Sequence, residues 1–196
     1  MAGAGLATMA ALPVALTPGL LAPAAAATPL RAWRIDAQRF AAQWDSGRGA
    51  ELYGGRWNPK GQPAVYCSLD PATCLVESAV HRGFDVLDSQ PHVLSCLAIH
   101  VAASAGGPAA VPGVPGVRVV APDDLPNPAW LHGGTPSAGQ QRFGAELLAL
   151  HGIVVLPSAV AKNSWNLVLL PAVAAGRYWL QQQQRLVVDA RLNPAR

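Results

Sequence analysis

The sequence predicts an α+β fold that consists mainly of β-strands with two or three helices. Short apolar runs bounded by glycine or proline recur along the chain, and this pattern is typical of strands. Longer segments have apolar residues at helical spacing and capping residues at their ends, which predicts helices. Hydrophobic residues make up 51% of the 196 residues and charged residues only 13%, which excludes a disordered chain.

The chain divides into an apolar N-terminal extension, residues 1–30, and one predicted domain, residues 31–192. The extension has no charged side chain, so it lacks the basic start of a signal peptide, and prolines interrupt its apolar stretch. We therefore expect a disordered or processed extension, no membrane span, and a cytoplasmic protein. Secretion is the alternative, because residues 20–27 resemble the end of a signal peptide.

Strands are predicted where a short apolar run lies between turn residues. The predicted strands are 31–36, 64–69, 93–101, 117–120, 153–156, 167–170 and 186–189. Loops or irregular segments are predicted at 46–63, 103–117 and 124–137, where glycine and proline are frequent.

Helices are predicted where helical spacing meets a start or stop signal. Residues 36–44 have the spacing alone. A second helix begins at Asp70-Pro71, an N-cap residue followed by proline in the first turn, and ends near Gly83. A third covers 141–151 and ends at Gly152.

Charge and cysteine content narrow the classes of function. The net charge is +3, and the arginines are scattered singly, so we expect no direct nucleic-acid binding. Isolated arginines in glycine-rich segments suit a small anionic ligand. Cys67, Cys74 and Cys96 form no C-x-x-C pair and the histidines lack ligand spacing, so we expect neither a disulfide framework nor a metal.

The segment 53–58, Tyr-Gly-Gly-Arg-Trp-Asn, is the first candidate for a binding site. Guanidinium and exposed backbone N–H groups bind phosphate, and aromatic faces stack on flat rings, so the combination suits a nucleotide. The alternative is a solvated loop in which Trp57 is packed into the core.

Glu77 is the second candidate, because it is a carboxylate within an otherwise apolar helical segment. Burying a carboxylate costs free energy unless it is paired. A carboxylate that is nevertheless buried is typical of a functional site. The alternatives are a salt bridge to an arginine or a place on the wet side of the helix. His81, one turn later, either orients this carboxylate or is a core histidine.

Polar residues at the ends of two predicted strands are the third candidate. Ser158 follows the strand at 153–156, and Asn166 begins the next apolar run. Such side chains can line a cleft, but serine and asparagine also cap turns routinely, so both interpretations stay open.

Together these features resemble the RES domain family. The matching residues are Trp33-Arg34-Ile35, Ser46-Gly47-Arg48-Gly49-Ala50, Leu52-Tyr53-Gly54-Gly55-Arg56-Trp57-Asn58, Gly61, Val65-Tyr66, Ser68, Glu77, His81, Pro157-Ser158-Ala159, Trp165-Asn166-Leu167 and Pro171. They cover nearly all of residues 31–192 in a specific order and spacing.

The resemblance implies a fold similar to ADP-ribosyltransferases, with mainly antiparallel β-sheets and two or three flanking helices. It implies a toxin that degrades NAD⁺ by hydrolysis or phosphorolysis, or one that ADP-ribosylates a protein. It also implies a partner, an Xre-type helix-turn-helix antitoxin, and it is compatible with a homo-oligomer within the complex. NAD⁺ is then the substrate, and no separate cofactor is expected.

The resemblance also assigns roles to residues. The catalytic residues are Glu77, Arg56 and Ser158, and the residues that bind NAD⁺ are Arg34, Tyr53, Arg56, Tyr66 and Asn166. Glu77 would stabilise positive charge on the ribose, and the arginines would clamp the pyrophosphate. The tyrosines would stack on or orient the nicotinamide, and Ser158 and Asn166 would hold ribose hydroxyls or the amide. A nucleotide-binding or interaction module without catalysis is the alternative from another class.

Overall fold

The computed structural model describes residues 29–100 and 117–189. The predicted extension up to residue 28, the predicted loop at 103–116 and the end of the predicted domain, 190–192, lie outside the described residues.

Seven strands form one sheet within the described residues. They are β1 (Leu30–Ala37), β2 (Val65–Ser68), β3 (His92–Ile99), β4 (Val117–Val119), β5 (Ile153–Pro157), β6 (Trp165–Leu169) and β7 (Tyr178–Arg185). Across the sheet their order is β4-β5-β6-β2-β1-β3-β7. All neighbours are antiparallel except β4 and β5, which run parallel. The predicted α+β class with mainly antiparallel strands is confirmed.

Two long helices and several short ones flank this sheet. The α-helices are α1 (Arg48–Tyr53), α2 (Pro71–Arg82), α3 (Phe84–Ser89), α4 (Ala138–His151) and α5 (Pro171–Ala174). The 3₁₀ helices are Gln38–Gln43, Pro122–Asp124 and Pro128–Leu131. The long helices α2 and α4 correspond to the predicted helices at 70–83 and 141–151.

Helix α2 begins and ends where the sequence predicts. The carboxylate of Asp70 accepts hydrogen bonds from the Thr73 backbone N–H at 2.7 Å and from the Thr73 hydroxyl at 2.6 Å, and Pro71 occupies the first turn. Gly83 ends the helix with φ of 86°, a conformation that a residue with a Cβ rarely adopts. These caps fix where Glu77, in the middle of α2, stands against β1 and β2.

The predicted helix at 36–44 is a shorter 3₁₀ helix, Gln38–Gln43. Two predictions of secondary structure are wrong. The predicted loop at 46–63 contains α1. The last strand is Tyr178–Arg185, not 186–189. This strand pairs only with β3 at the sheet edge, and its run of glutamines is largely exposed, so it carries no apolar signal.

The core lies on both faces of the sheet. Strand β5 is buried throughout, with Ile153 and Val155 in one apolar cluster and Val154 and Leu156 in a second. The second cluster also contains Leu148 of α4, so this helix covers one face. A strand buried on both faces is a continuous apolar run, which is how β5 was recognised from sequence.

No helix within residues 29–100 and 117–189 is both long and apolar enough to cross a membrane. The same ranges contain no group of three His, Cys, Asp or Glu side chains placed to hold a metal ion.

Candidate active site

A cavity of about 430 Å³ opens between α2, the segment 47–57, and strands β1, β2 and β6. The segment 47–57 contains α1 and the loop that follows it. Six of the predicted site residues line it: Arg34, Tyr53, Arg56, Tyr66, Glu77 and Asn166. Ser158 is not among the lining residues, although its neighbours Pro157 and Ala159 are. The structure therefore brings the predicted residues to one place, with Ser158 behind the wall.

Three side chains fix the Glu77 carboxylate. Its Oε1 accepts hydrogen bonds from the Ser158 hydroxyl at 2.6 Å and from Asn166 Nδ2 at 2.5 Å. Its Oε2 lies 3.3 Å from Nε2 of His81, one turn later on α2. The side chain of Glu77 is only 15% exposed, so these contacts set both its position and the direction of its oxygens.

The Glu77 carboxylate is ionised at neutral pH. Burial opposes its ionisation, but the hydrogen bonds from His81, Ser158 and Asn166 together outweigh that effect and hold its pKa below the ordinary value of 4.5. The cavity wall thus carries a fixed negative charge on a helix.

Ser158 caps the turn after β5, as one of the two interpretations left open by the sequence expected, and it also contacts Glu77. Its hydroxyl oxygen accepts hydrogen bonds from the backbone N–H groups of Val160 at 3.1 Å and Ala161 at 2.8 Å, which is turn chemistry after β5. The same hydroxyl donates to Glu77. Because Ser158 is 5% exposed and does not line the cavity, it positions Glu77 and does not present its hydroxyl to a ligand.

Ser68 of β2 is a further positioning residue. Its hydroxyl donates to Oδ1 of Asn166 at 2.8 Å, across the register pair that β2 and β6 form at this point. This contact turns the Asn166 amide so that its Nδ2 faces Glu77. The sequence offered no signal for this pairing beyond the place of Ser68 in the RES-like run.

His81 is not a core histidine. Its side chain is 60% exposed, it lines the cavity, and it contacts Glu77. The helical spacing of four residues predicted this contact, and the structure decides for the interpretation in which His81 orients the carboxylate.

Tyr66 lines the cavity, and its hydroxyl is hydrogen-bonded within the protein. The hydroxyl donates to Oδ1 of Asn58 at 2.7 Å and accepts from the Trp57 backbone N–H at 3.0 Å. Burial raises the pKa of Tyr66 above its ordinary value, so the hydroxyl keeps its proton. A Cβ at Gly55 would overlap this hydroxyl, which explains why glycine stands there.

Asn58 supports the cavity wall, and the sequence analysis named it only as part of a loop. It is fully buried, and its Nδ2 lies within hydrogen-bonding distance of the carbonyls of Ala50, Pro59 and Gln62, at 3.1, 3.0 and 2.8 Å. Together with its bond from Tyr66, these contacts tie the loop to β2. They hold Arg56 and Trp57 at the cavity.

In the segment 53–58, Trp57 is packed into the core and Arg56 lines the cavity. Trp57 is buried against Trp130, with ring centroids 6.4 Å apart. Nη1 of Arg56 donates to the backbone carbonyls of Trp130 at 2.9 Å and His132 at 3.2 Å, while the residue lines the cavity. Tyr53 stands at the rim and is 77% exposed.

Arg34 is paired with Asp36, a residue that the sequence analysis did not single out. Nε of Arg34 donates to Oδ2 of Asp36 at 2.7 Å, and Nη2 donates to Oδ1 at 2.5 Å. Nη1 donates to the backbone carbonyl of Tyr66 at 3.3 Å. The spacing of two residues on β1 could have signalled the pair, because such residues share one face of a strand.

Residues 31–189 match the RES domain, and the chain belongs to this family. It is 28% identical over 168 residues to a protein of Photorhabdus laumondii named toxin Res, a match that covers 84% of this chain and 97% of that protein. It is 43% identical over 49 residues to toxin Res of Yersinia enterocolitica, which covers 25% of this chain and 32% of that protein.

A solved structure shares the fold. The chain is similar to one chain of the MbcT–MbcA toxin–antitoxin complex of M. tuberculosis, with a TM-score of 0.60 and 21% sequence identity. The match covers 81% of this chain and 85% of that chain. The predicted family and the predicted fold class are thereby confirmed.

Proposed function

We propose that this protein is the toxin of a toxin–antitoxin pair and that it cleaves the bond between nicotinamide and ribose in NAD⁺. One observation carries the proposal: an ionised carboxylate, Glu77, is fixed by three side chains at the wall of a cavity that arginines and tyrosines line. The relatives named toxin Res support the toxin role.

Cleavage of the bond between nicotinamide and ribose needs little more from the protein than such a carboxylate. Nicotinamide leaves as a neutral molecule, so no strong general acid is needed. The barrier comes from the positive, oxocarbenium-like charge that develops on the ribose, and a fixed negative charge beside it stabilises the transition state. Glu77 supplies this charge, because its low pKa keeps it ionised.

The rest of the cavity suits a dinucleotide. A volume of about 430 Å³ lies within the range of small-molecule sites. Arg34 and Arg56 place guanidinium groups on the wall for the pyrophosphate, and Tyr66 and the rim residue Tyr53 offer aromatic faces to the flat rings. NAD⁺ is the substrate in this proposal, and the reaction needs no cofactor.

Water, phosphate and a protein side chain are the three candidate acceptors of the ribosyl group. All three reactions share the step at Glu77, so one experiment separates them. The purified protein, freed of any antitoxin, is incubated with labelled NAD⁺ in buffers with and without phosphate and with cell extract as a source of protein acceptors, and the products are separated by chromatography and by gel electrophoresis. ADP-ribose indicates hydrolysis, its 1-phosphate indicates phosphorolysis, and a labelled protein band indicates transfer.

Release of nicotinamide under either condition supports the proposal. If well-folded protein releases none, with or without phosphate and with cell extract as a source of acceptors, the enzymatic proposal fails. Binding of NAD⁺ in that case identifies a nucleotide-binding module.

The proposed partner is an Xre-type antitoxin. The similar solved structure is a toxin–antitoxin complex, which supports a partner of this kind. Co-expression with the product of the adjacent reading frame should give one complex on size-exclusion chromatography and suppress nicotinamide release. A complex that forms but leaves the release rate unchanged would contradict the antitoxin role.

A further inference from the structure

The end of the cavity between β1 and the last turn of α2 carries a further arginine, Arg82, to which the proposed function assigns no role. Arg34 and Arg82 both line the cavity there, and Asp36 is buried beside them with 5% exposure. The charges of Arg82, Asp36 and Arg34 interact with one another. Two cations and one buried anion leave this end of the cavity with a net positive charge.

Arg34 keeps donors free for a ligand. A guanidinium carries five N–H donors in a fixed fork. Three contacts of Arg34 are taken within the protein, two by Asp36 and one by the Tyr66 carbonyl. Because Asp36 takes the edge formed by Nε and Nη2, the guanidinium plane is fixed, and the remaining N–H groups keep one direction.

Arg82 has a cavity position and no internal acceptor. Arg82 is exposed and lines the cavity, and no hydrogen bond or ion pair of its guanidinium is found within the described part of the chain. A basic residue in the last turn of a helix is favoured by the helix dipole, but this does not require it to face a cavity.

Arg56 is held at another part of the cavity wall by backbone carbonyls. Its guanidinium bonds to the carbonyls of Trp130 and His132, beside the segment that packs on α4. The cation whose charge interacts with that of Arg34 is therefore Arg82.

We propose that Arg82 binds a phosphate group of the substrate together with Arg34, and that Asp36 is the positioning residue that holds Arg34 for this role. The phosphate belongs to the pyrophosphate of NAD⁺, so the identity of the ligand rests on the proposed function. Paired guanidinium groups bind phosphate oxygens in bidentate fashion. Asp36 lowers the repulsion between the two arginines when the site is empty, and the phosphate adds the charge that completes neutralisation.

Binding of non-reacting ligands tests the site without catalysis. ADP-ribose and inorganic pyrophosphate are titrated into the full chain by calorimetry. Because hydrogen bonds to charged groups contribute about 1.5–3 kcal/mol, Arg82→Gln should weaken binding of both ligands about tenfold or more. The matched control is Arg39→Gln, since Arg39 is exposed and does not line the cavity, and this variant should bind like the wild type.

Steady-state kinetics test the positioning role of Asp36. Asp36→Asn removes the charge that orients Arg34, so we expect KM for NAD⁺ to rise about tenfold while kcat stays within about twofold. The KM for nicotinamide riboside, which has the same scissile bond and no phosphate, should rise far less than the KM for NAD⁺. A merely structural loss would lower turnover of both substrates, and that result would overturn the role of Asp36.

Arg34→Lys is the second variant, in case Asp36→Asn does not fold. It keeps the charge beside Asp36 and removes the fork, so ADP-ribose affinity should still fall about tenfold. The inference is overturned if Arg82→Gln and Arg34→Lys bind ADP-ribose as tightly as Arg39→Gln does. If no protein releases nicotinamide but Arg82→Gln weakens ADP-ribose binding, the phosphate site stands and the proposed reaction fails.

Discussion

At the scale of single residues, Glu77 owes its charge and its direction to side chains that are distant in sequence. Ser158 and Asn166 are 81 and 89 positions away, and both donate to the same oxygen, Oε1. This leaves Oε2, which contacts His81, as the oxygen less occupied by internal bonds. Two distant donors acting on one oxygen make the carboxylate rigid.

Ser158→Ala tests the positioning role of the serine. The change removes one donor to Glu77 and the acceptor for the N–H groups of Val160 and Ala161, so we expect a loss of about 1–3 kcal/mol in the free energy of unfolding. Turnover should fall while KM for NAD⁺ changes little. Denaturant titration and initial rates measure both, with the exposed Ser89→Ala as control. An unchanged kcat would contradict the role.

The low pKa of Glu77 predicts how stability depends on pH. A carboxylate whose pKa is lower in the folded state contributes stability above its ordinary value of 4.5 and loses that contribution as the pH falls through the folded pKa. The stability difference between wild type and Glu77→Gln should therefore be constant near neutral pH and shift against the wild type in acid. Urea titrations at a series of pH values measure it, and a difference that favours the wild type more in acid would contradict the assignment.

Sequence could nominate residues but not the contacts between them. Glu77, Arg56 and Asn166 were found because a polar or charged residue stood in an unusual context. Asp36 and Asn58 were missed as individual site residues because a lone Asp or Asn is common on strands and in loops. Their importance comes from burial and from partners that only the folded chain supplies.

At the scale of elements, the predictable ones carry their signal locally. Helix α2 was predicted with its boundaries because Asp70, Pro71 and Gly83 set its ends through their own backbone and side-chain chemistry. Strand β7 was missed because it is held by a long-range pairing with β3 at the sheet edge, and its run of glutamines lacks the apolar pattern that predicts a strand. The short helix α1 lies in a glycine-rich segment, where propensity favours a loop.

Substitution of two glycines of α4 tests how closely this helix packs against the segment 53–58, which contains Arg56 and Trp57. A Cβ at Gly144 would overlap the backbone of Trp57, whereas one at Gly139 meets only ordinary contacts. Glycine to alanine in a helix normally stabilises by about 1 kcal/mol. Gly139→Ala should be neutral or stabilising, and Gly144→Ala should lose about 1–3 kcal/mol because two elements must separate.

The measurement for this pair is thermal and denaturant unfolding, together with KM for NAD⁺. Gly144→Ala should also raise KM, because Arg56 follows the displaced loop. Equal stability of the two variants would contradict the close approach of α4 to Trp57.

At the scale of the whole molecule, one sheet brings together site residues that are distant in sequence. Strands β1, β2 and β6 are neighbours in space, and they carry Arg34, Tyr66 and Asn166 from three distant parts of the chain. The number and type of elements could be estimated from sequence, but this strand order could not, because it depends on pairings between distant segments.

Ligand binding should stabilise the whole fold even when catalysis is removed. A ligand that binds only the folded state adds about 2.7 kcal/mol at a free concentration of 100 times its Kd. We expect NAD⁺ to stabilise Glu77→Gln by this amount at that ratio, as measured by denaturant titration. No stabilisation of a variant that is folded would contradict a NAD⁺ site in this cavity.

The central claim is that the Glu77 carboxylate stabilises positive charge on the ribose. The most direct measurement is the rate of nicotinamide release at saturating NAD⁺ by Glu77→Gln, with ADP-ribose affinity measured on the same protein. The exposed Glu146→Gln on α4 is the matched control. The account predicts a fall in kcat of about 10²–10³ with ADP-ribose affinity retained, because the lost interaction exists only in the transition state. A Glu77→Gln variant that turns over NAD⁺ as fast as Glu146→Gln would contradict it.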